Sequence, residues 1–359
     1  MSKRLLSLAS LIFLITGCDT FDDYDKNNRV QSTYKLISID DDYDANLEKD
    51  AEYKYNYNKQ GFITQIEYDY MADGSPDLIY KYDYYDNGYL KSAITDFNGD
   101  GKDDLVYNYY YVNNRLTKIE YDYNNDGKTD YTYSYEYNDK GFISSYKIEA
   151  AIKGVTVISD FDDSDFNSSK YFCNIGVCLD FLQFPTNSPE SLSPTVHTST
   201  ATTSGYTDVF AQGDIEYIYN YNRDNTLKSI SLDYNLDGTI NSIYNYIYNS
   251  KKKLEEIAYD YDANGVNDYI FKYTYNNKGY IKNLSVDYYN DSIIDIVYLY
   301  EYYDNGLQKS FKVDYSADGK IDQTYNYYYD KNNLLKAIDS DYNNNGHIDR
   351  TTEYNYKKF

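Results

Sequence analysis

The chain has 359 residues, of which 58 are acidic and 34 are basic, and its formal net charge is −24. A chain this negative repels nucleic acid and anionic membrane surfaces and attracts cations, so we expect no nucleic-acid partner. Its length would ordinarily indicate about two or three domains, but the chain is built of internal repeats, which take precedence over that estimate.

Residues 1–17 have the pattern of a secretory signal. A basic start, Lys3-Arg4, precedes an apolar run from Leu5 to Ile15 that is too short for a membrane-spanning helix. The run ends in the stretch ITGC, whose cysteine is Cys18. This stretch resembles the lipobox of bacterial lipoproteins; the alternative is a buried apolar helix with a chance cysteine.

The lipobox resemblance implies that Cys18 becomes the lipid-bearing first residue of the mature chain. We therefore expect a lipid-anchored protein of the bacterial cell envelope, at the periplasmic face of the outer membrane or at the cell surface. Residues 18–30 would form an acidic tether between the membrane and the first repeat block, residues 31–149. The motif does not specify which membrane holds the protein.

Alternating residues predict β-strands in both repeat blocks, residues 31–149 and 214–359. In YTYSYEYN, from Tyr131 to Asn138, the tyrosines share one face of a strand and the polar residues share the other. A short turn follows, in which Gly141 can supply the positive φ of the reversal. A second strand is predicted from Phe142 to Glu149. Each unit of about 27 residues is therefore one hairpin.

The hairpins predict an all-β fold, a repetitive antiparallel β-hairpin meander that forms an extended or spiralling sheet or an open shell. Equivalent tyrosines then lie on neighbouring strands, where aromatic pairs contribute roughly 0.2 to 1 kcal/mol each. We expect their rings to be buried and their hydroxyls to stay wet. Packing between repeats explains their spacing. The alternative is a platform on which sugars stack, which the absence of tryptophan weakens.

Residues 150–213 interrupt the repeats. They contain three of the four prolines and the Ser/Thr-rich stretch SPTVHTSTATTSG, which is typical of an insertion or linker. Their first half contains Cys173 and Cys178, which we expect to form a local disulfide in an exported protein. A metal site is the alternative, although two cysteines without a nearby histidine are too few ligands for a closed zinc site.

A nine-residue frame of acidic and amide side chains recurs between the hairpins, nine times in all. In DFNGDGKDD, from Asp96 to Asp104, such side chains occupy the first, third, fifth and ninth positions and glycine the sixth. Calcium takes six to eight oxygen ligands, which a loop supplies by alternating side chains with a backbone carbonyl. The alternative is a polar turn, since Asp, Asn and Gly are good turn formers. A turn does not explain the first and ninth aspartates, whose charges would repel each other without a metal.

The frame is not an EF-hand, because its twelfth position is Tyr107 instead of glutamate. It resembles the calcium loops of FG-GAP repeats, which also join antiparallel strands and in which the ninth-position aspartate replaces that glutamate. The resemblance covers the loops alone and implies calcium as the cofactor. The implied ligands are Asp42, Asp44, Asn46 and Asp50; Asp69, Asp73 and Asp77; Asp96, Asn98, Asp100 and Asp104; Asp122, Asn124, Asp126 and Asp130; Asp233, Asn235, Asp237 and Asn241; Asp260, Asp262, Asn264 and Asp268; Asp287, Asp291 and Asp295; Asp314, Ser316, Asp318 and Asp322; and Asp341, Asn343, Asn345 and Asp349.

Four copies depart from the frame. Leu47 takes the glycine position of the first copy, and Met71 takes the third position of the second. The seventh copy has Tyr289 at its third position and Ser292 in place of glycine. The copy that ends in Asn241 lacks its final carboxylate, so we expect it to bind calcium more weakly.

The hairpins resemble a second family. The stretches YSYEYNDKGFI, YTYNNKGYI and YEYYDNGLQ, which begin at residues 133, 273 and 300, look like the YD repeat of bacterial RHS-type surface and toxin proteins. In that family, long runs of hairpins spiral into a β-sheet shell. The resemblance spans most of the chain outside the insertion, although the motif is short. Those proteins usually carry a C-terminal effector domain, and we expect no toxin cargo here.

We expect a protein that is not an enzyme. The chain has two histidines, His197 and His347, and no phosphate-binding loop, nucleophile elbow or HExxH motif. A glycoside hydrolase that uses two loop aspartates is a remote alternative. The main hypothesis is a calcium-binding, lipid-anchored adhesion or binding module for a carbohydrate or a surface protein.

The alternative from a different class is a purely structural envelope lipoprotein that acts as a spacer or assembly component. A tyrosine-lined groove left uncovered in the folded sheet would favour the binding module. Faces that are fully packed or uniformly charged would favour the structural protein.

Overall fold

The computed structural model describes residues 34–151 and 214–358. They form β1 (Tyr34–Asp42), β2 (Ala51–Tyr57), β3 (Ile63–Asp69), β4 (Leu78–Tyr84), β5 (Leu90–Asp96), β6 (Leu105–Val112), β7 (Arg115–Asp122), β8 (Tyr131–Tyr137), β9 (Ile143–Ala150), β10 (Ile215–Tyr221), β11 (Leu227–Tyr234), β12 (Ser242–Tyr248), β13 (Leu254–Asp260), β14 (Tyr269–Tyr275), β15 (Ile281–Asp287), β16 (Ile296–Tyr302), β17 (Gln308–Asp314), β18 (Gln323–Tyr329), β19 (Leu335–Asp341) and β20 (Arg350–Lys358).

These strands form one closed antiparallel sheet, a 20-stranded barrel. Each strand pairs with the next along the chain, β9 pairs with β10 across the insertion, and β1 pairs with β20 from Tyr34↔Lys358 to Asp42↔Thr351. The predicted antiparallel hairpin meander is confirmed, whereas the predicted extended, spiralling or open form is wrong. Closure pairs the backbone groups of β1 and β20, which an open sheet would leave exposed at its two edges.

Each hairpin unit contains two strands, at about 13 residues per strand. The predicted alternation is present in β8, where Tyr133 and Tyr135 are buried and Glu136 is exposed. The predicted turn glycine, Gly141, has a φ of 88°. One face of the wall is thus lined by buried tyrosine and aliphatic side chains, and we call it the tyrosine face.

Several tyrosine hydroxyls are more deeply buried than the sequence predicts. Those of Tyr55, Tyr298 and Tyr354 are buried and find no hydrogen-bond partner among the described residues. Burial also raises the pKa of Tyr217 to about 12. The expectation that the hydroxyls stay wet is wrong for these residues, because packing against neighbouring strands encloses the whole side chain.

Another group of tyrosines ties a strand to the strand before it, at five places in the described chain. The hydroxyl of Tyr84, at the end of β4, donates to the carbonyl oxygen of Ile63, at the start of β3, at 2.7 Å. The ladder between these strands begins only at Gln65↔Lys81, so the hydroxyl binds a carbonyl beyond it. Equivalent bonds of 2.6 to 3.0 Å join Tyr57 to Leu36, Tyr137 to Leu116, Tyr221 to Ile143 and Tyr275 to Leu254.

Several predictions concern residues outside the described ranges. These are the signal sequence (1–17), the lipidation site Cys18 with the tether (18–30), and the disulfide between Cys173 and Cys178. Among the described residues, the chain forms no helix with the length and apolar character of a membrane span.

Candidate functional site: the acidic rim

All nine acidic loops lie at one end of the barrel. Each connects an odd-numbered strand to the following even-numbered strand, and in an antiparallel meander every such connection falls at the same end. We call this end the acidic rim; it comprises residues 42–50, 69–77, 96–104, 122–130, 233–241, 260–268, 287–295, 314–322 and 341–349. The insertion between β9 and β10 also begins and ends there.

The acidic rim carries nearly all the net charge of the chain. It contains 27 of the 58 acidic residues and four of the 34 basic residues, which gives −23 of the formal −24. The remaining residues, 31 acidic and 30 basic, are almost balanced. The charge of the barrel is therefore distributed unevenly along its axis, and the negative potential is concentrated at one end.

Each of the nine loops contains the same pattern of hydrogen bonds, which we call the shared network. In the loop from Asp96, both oxygens of that carboxylate accept main-chain N–H bonds, from Asp100 at 3.2 Å and Gly101 at 2.9 Å. The ninth residue, Asp104, accepts the N–H of Phe97 at 2.8 Å. Equivalent bonds occur in the other eight loops. Most first-position aspartates are buried, and these bonds satisfy their oxygens.

The network gives the first and ninth aspartates a structural role. Both shape the turn itself, because they satisfy main-chain N–H groups that the reversal leaves without a ladder partner. Asn241 does the same as a ninth residue, accepting the N–H of Tyr234 at 2.6 Å. The expectation that a turn cannot explain these positions is therefore wrong. A charge is not required for the bond that position nine makes.

Two loops bring three carboxylates together. One oxygen each from Asp42, Asp44 and Asp50 lies within 4.8 Å of the others, and the triad of Asp260, Asp262 and Asp268 meets the same condition. Two oxygens bound to one calcium ion at about 2.3 to 2.6 Å can lie at most about 5 Å apart. Each carboxylate oxygen also keeps a lone pair after accepting one N–H. These donor sets therefore fit calcium.

Three loops instead place their own cation beside the fifth residue. Lys102 lies 2.9 Å from Asp100, Lys128 lies 3.0 Å from Asp126, and the equivalent Lys320–Asp318 distance is 2.6 Å. The hydrogen bond from Lys102 lowers the pKa of Asp100. These lysines are exposed, so they can move aside if a divalent ion takes the position.

Three of the four copies that depart from the frame expose an apolar side chain at the departing position. Leu47 is 96% exposed, Tyr289 78% and Met71 67%. All three loops keep the shared network, so the substitutions alter the surface and leave the backbone path unchanged. The second and seventh loops thereby lose a third-position oxygen and gain an exposed apolar side chain. The sequence frame predicts the lost ligand but not the exposed apolar side chain.

The tyrosine face offers no open groove at its buried rings. Tyr53, Tyr109 and Tyr273, for example, are 2%, 3% and 6% exposed, and neighbouring rings stack, as do Tyr244 and Tyr259 with centroids 4.1 Å apart. Packing between repeats accounts for these tyrosines. The exposed candidates for binding are at the rims of the barrel.

Comparison with known proteins gives similarities at low sequence identity. No protein-family profile matches the chain, and no curated protein matches it. The crystal structure of TcdB2-TccC3-TEV is 12% identical, with a TM-score of 0.32 over 82% of this chain and 12% of that chain. This chain thus spans about an eighth of that structure.

Two porin-like crystal structures are similar over nearly their full length. The one from Bacteroides uniformis ATCC 8492 is 11% identical, with a TM-score of 0.34 over 90% of this chain and 98% of that chain. The one from Bacteroides vulgatus ATCC 8482 is 9% identical, with a TM-score of 0.28 over 90% and 99%. Similarities at this level assign no function to the chain.

Proposed function

We propose that the protein is a non-enzymatic, calcium-binding barrel of the bacterial cell envelope, anchored by lipid at Cys18, that presents its acidic rim as a binding surface. One observation carries this proposal. The acidic rim concentrates −23 formal charges in nine loops that repeat the same hydrogen bonds, and such a concentration of carboxylates attracts divalent cations.

Calcium would relieve the repulsion between these carboxylates. If each loop had a dissociation constant of about 0.1 mM in about 1 mM calcium, binding would add roughly 1.4 kcal/mol per site. Nine filled loops would then add at most roughly 13 kcal/mol, which is comparable with the stability of a whole domain. The triads at Asp42 and Asp260 would bind most tightly, since one oxygen from each of their three carboxylates already lies within 4.8 Å of the others.

A carbohydrate or surface-protein ligand would then meet the rim and its calcium ions. Carbohydrate hydroxyls and carboxylates are hard oxygen donors, which can complete a calcium coordination shell that the loop leaves unfilled. The exposed side chains of Leu47, Met71 and Tyr289 would add apolar contact beside those ions.

A second function, a purely structural envelope component, is supported by the packed tyrosine face. Burial of Tyr53, Tyr109 and Tyr273 leaves no aromatic platform at these positions, and packing is sufficient to explain them. In this function calcium would stabilise the barrel without creating a ligand site. A glycan array probed with and without calcium separates the two, because only the binding module retains glycans in a calcium-dependent way.

Thermal unfolding tests the calcium component. The mature chain is stripped with a chelator, and its unfolding midpoint is followed by circular dichroism as calcium is added. We expect the midpoint to rise with millimolar calcium, and we expect magnesium to raise it less because its smaller, stricter coordination shell fits these loops poorly. An unchanged midpoint would refute calcium binding. The lipid anchor is tested separately by the mass of the mature chain isolated from bacteria, with Cys18→Ser as the control.

A further inference from the structure

The end of the barrel opposite the acidic rim has the opposite charge. It consists of nine short turns and the two described chain ends, and we call it the turn rim: residues 34–36, 58–62, 85–89, 113–114, 138–142, 222–226, 249–253, 276–280, 303–307, 330–334 and 356–358. These residues include 11 basic and five acidic side chains, a formal charge of +6. Lysine is densest in the turn that holds Lys251, Lys252 and Lys253.

Exposed apolar side chains accompany this charge. Val112 borders one turn and is 58% exposed, while Tyr85 and Tyr280 lie within turns and are each 38% exposed. Of the 14 large hydrophobic side chains that are exposed in the described ranges, eight lie in the acidic loops and six lie in turns or in the last three residues of a strand at the turn rim. Lysine heads with nearby aromatic and aliphatic side chains form the amphipathic surface that suits a lipid headgroup region.

The first described strand begins at the same rim. Strand β1 runs from Tyr34, at the turn rim, to Asp42, at the acidic rim. Cys18 precedes Tyr34 by 16 residues, a length of chain that can reach at most about 53 to 58 Å. A lipid on Cys18 would therefore tether the barrel to the membrane through the strand end that lies at the turn rim.

We propose that the turn rim is the membrane-facing end of the barrel and docks on anionic lipid headgroups, an inference that rests on the lipid anchor of the proposed function. Basic residues near such a surface are attracted to it individually, and exposed tyrosines favour the interface. This orientation presents the acidic rim, with its calcium loops, away from the membrane.

The large negative charge of the chain does not prevent this docking. A seven-residue strand is about 24 Å long, and a tilt of about 40° leaves roughly 18 Å along the barrel axis. The Debye length at physiological ionic strength is about 8 Å. The acidic rim is thus about two Debye lengths from a surface that touches the turn rim, and its repulsion is largely screened. The expectation that the chain as a whole is repelled by anionic membranes does not apply to this rim.

Vesicle binding by two charge-matched variants tests the proposal. All proteins start at residue 18 and carry Cys18→Ser, which removes lipidation and leaves every described strand intact. One variant combines the turn-rim changes Lys59→Glu, Lys251→Glu and Lys331→Glu, at exposed lysines. The control combines Lys102→Glu, Lys128→Glu and Lys320→Glu on the acidic rim. Both lower the net charge by six, so they differ only in where the charge is changed.

Co-sedimentation is measured with phosphatidylcholine vesicles, with and without phosphatidylglycerol, in chelator at physiological salt, after circular dichroism has verified the fold. We expect the parent protein to bind the phosphatidylglycerol vesicles, the turn-rim variant to bind at least about tenfold more weakly, and the acidic-rim control to bind within about twofold of the parent. Equal losses in both variants would overturn the proposal, because total charge would then control binding.

Two other outcomes would also overturn it. Binding that needs calcium and survives in the turn-rim variant would show that the acidic rim faces the lipid. Absent vesicle binding, together with charge-dependent self-association in sedimentation velocity, would show that the turn rim docks on the acidic rim of a second copy. Because the assay uses no lipidated protein, its failure is distinguishable from a missing anchor, which the mass of the mature chain reports.

Discussion

Arg350 and Asp41 form a buried ion pair at the point where the barrel closes. The Nε of Arg350 donates to Asp41 Oδ1 at 3.0 Å, a second guanidinium nitrogen binds the other oxygen, and the two side chains are 4% and 1% exposed. The hydroxyl of Thr352 also donates to Asp41, at 2.6 Å. Asp41 lies on β1, whereas Arg350 and Thr352 lie on β20, so the pair joins the first strand to the last.

We predict that the pair specifies closure more than it adds net stability. Arg350→Met or Asp41→Val alone should lower the free energy of unfolding by about 3 to 5 kcal/mol, because each leaves an uncompensated buried charge. The double variant should recover most of that loss. Denaturant unfolding of all four proteins measures the cycle. A double variant as unstable as the singles added together would contradict the prediction.

The tyrosine hydroxyls divide into two classes with opposite expected effects. Tyr84→Phe removes the 2.7 Å bond to the Ile63 carbonyl and should cost about 0.5 to 1.5 kcal/mol. Tyr298→Phe removes a buried hydroxyl without a partner among the described residues and should leave stability unchanged or raise it by about 1 kcal/mol. Chemical denaturation compares them, and similar losses in both variants would contradict the assignment.

Alkaline pH should unfold the barrel cooperatively. Burial raises the pKa of Tyr217, Tyr300 and Tyr329 to about 12, above the value of about 10 in an unfolded chain. The stability that these phenols contribute is therefore complete below about pH 10 and is lost as the pH rises through about 12. Tyrosinate absorbance and far-ultraviolet circular dichroism should change together. Most tyrosines ionising near pH 10 with an intact fold would contradict this.

Leu47 adopts a backbone conformation that suits glycine. Its φ is 75° and its side chain is 96% exposed. Leu47→Gly should therefore stabilise the barrel by about 1 kcal/mol. The reverse change, Gly101→Leu, is the matched control, because Gly101 has a φ of 86° and open space around the position of a Cβ. It should destabilise the barrel by a similar amount. A lower unfolding midpoint for Leu47→Gly, or a higher one for Gly101→Leu, would contradict the strain argument.

The strands and their faces could be predicted from the sequence because period-two alternation directly reflects burial. Closure of the barrel could not be predicted in the same way, because its signal in the sequence is limited to one pair of residues, Asp41 and Arg350. Asp41 occupies the position that Tyr68, Tyr121 and Val286 fill in other copies, one residue before the loop. Arg350 stands where other copies have residues such as Leu105. Alignment of the nine frames would have marked both as charges at apolar positions.

The loops could be predicted as a set, but the role of their carboxylates could not. A one-dimensional frame does not reveal that Asp96 and Asp104 accept main-chain N–H bonds, because those bonds depend on the three-dimensional turn. Nor does composition reveal that the net charge lies at one end, since this depends on every acidic loop connecting an odd-numbered strand to an even-numbered one.

The number of calcium ions bound per chain tests the central claim most directly. Asn241 already makes the ninth-position bond with an amide, so Asp50→Asn and Asp268→Asn preserve the turn while removing a carboxylate from each of the two loops whose three carboxylates lie together. Equilibrium dialysis should find two fewer tightly bound ions in the double variant, with an unfolding midpoint in chelator that is unchanged or higher because repulsion is reduced. The same number of ions in both proteins, or none in either, would contradict the account.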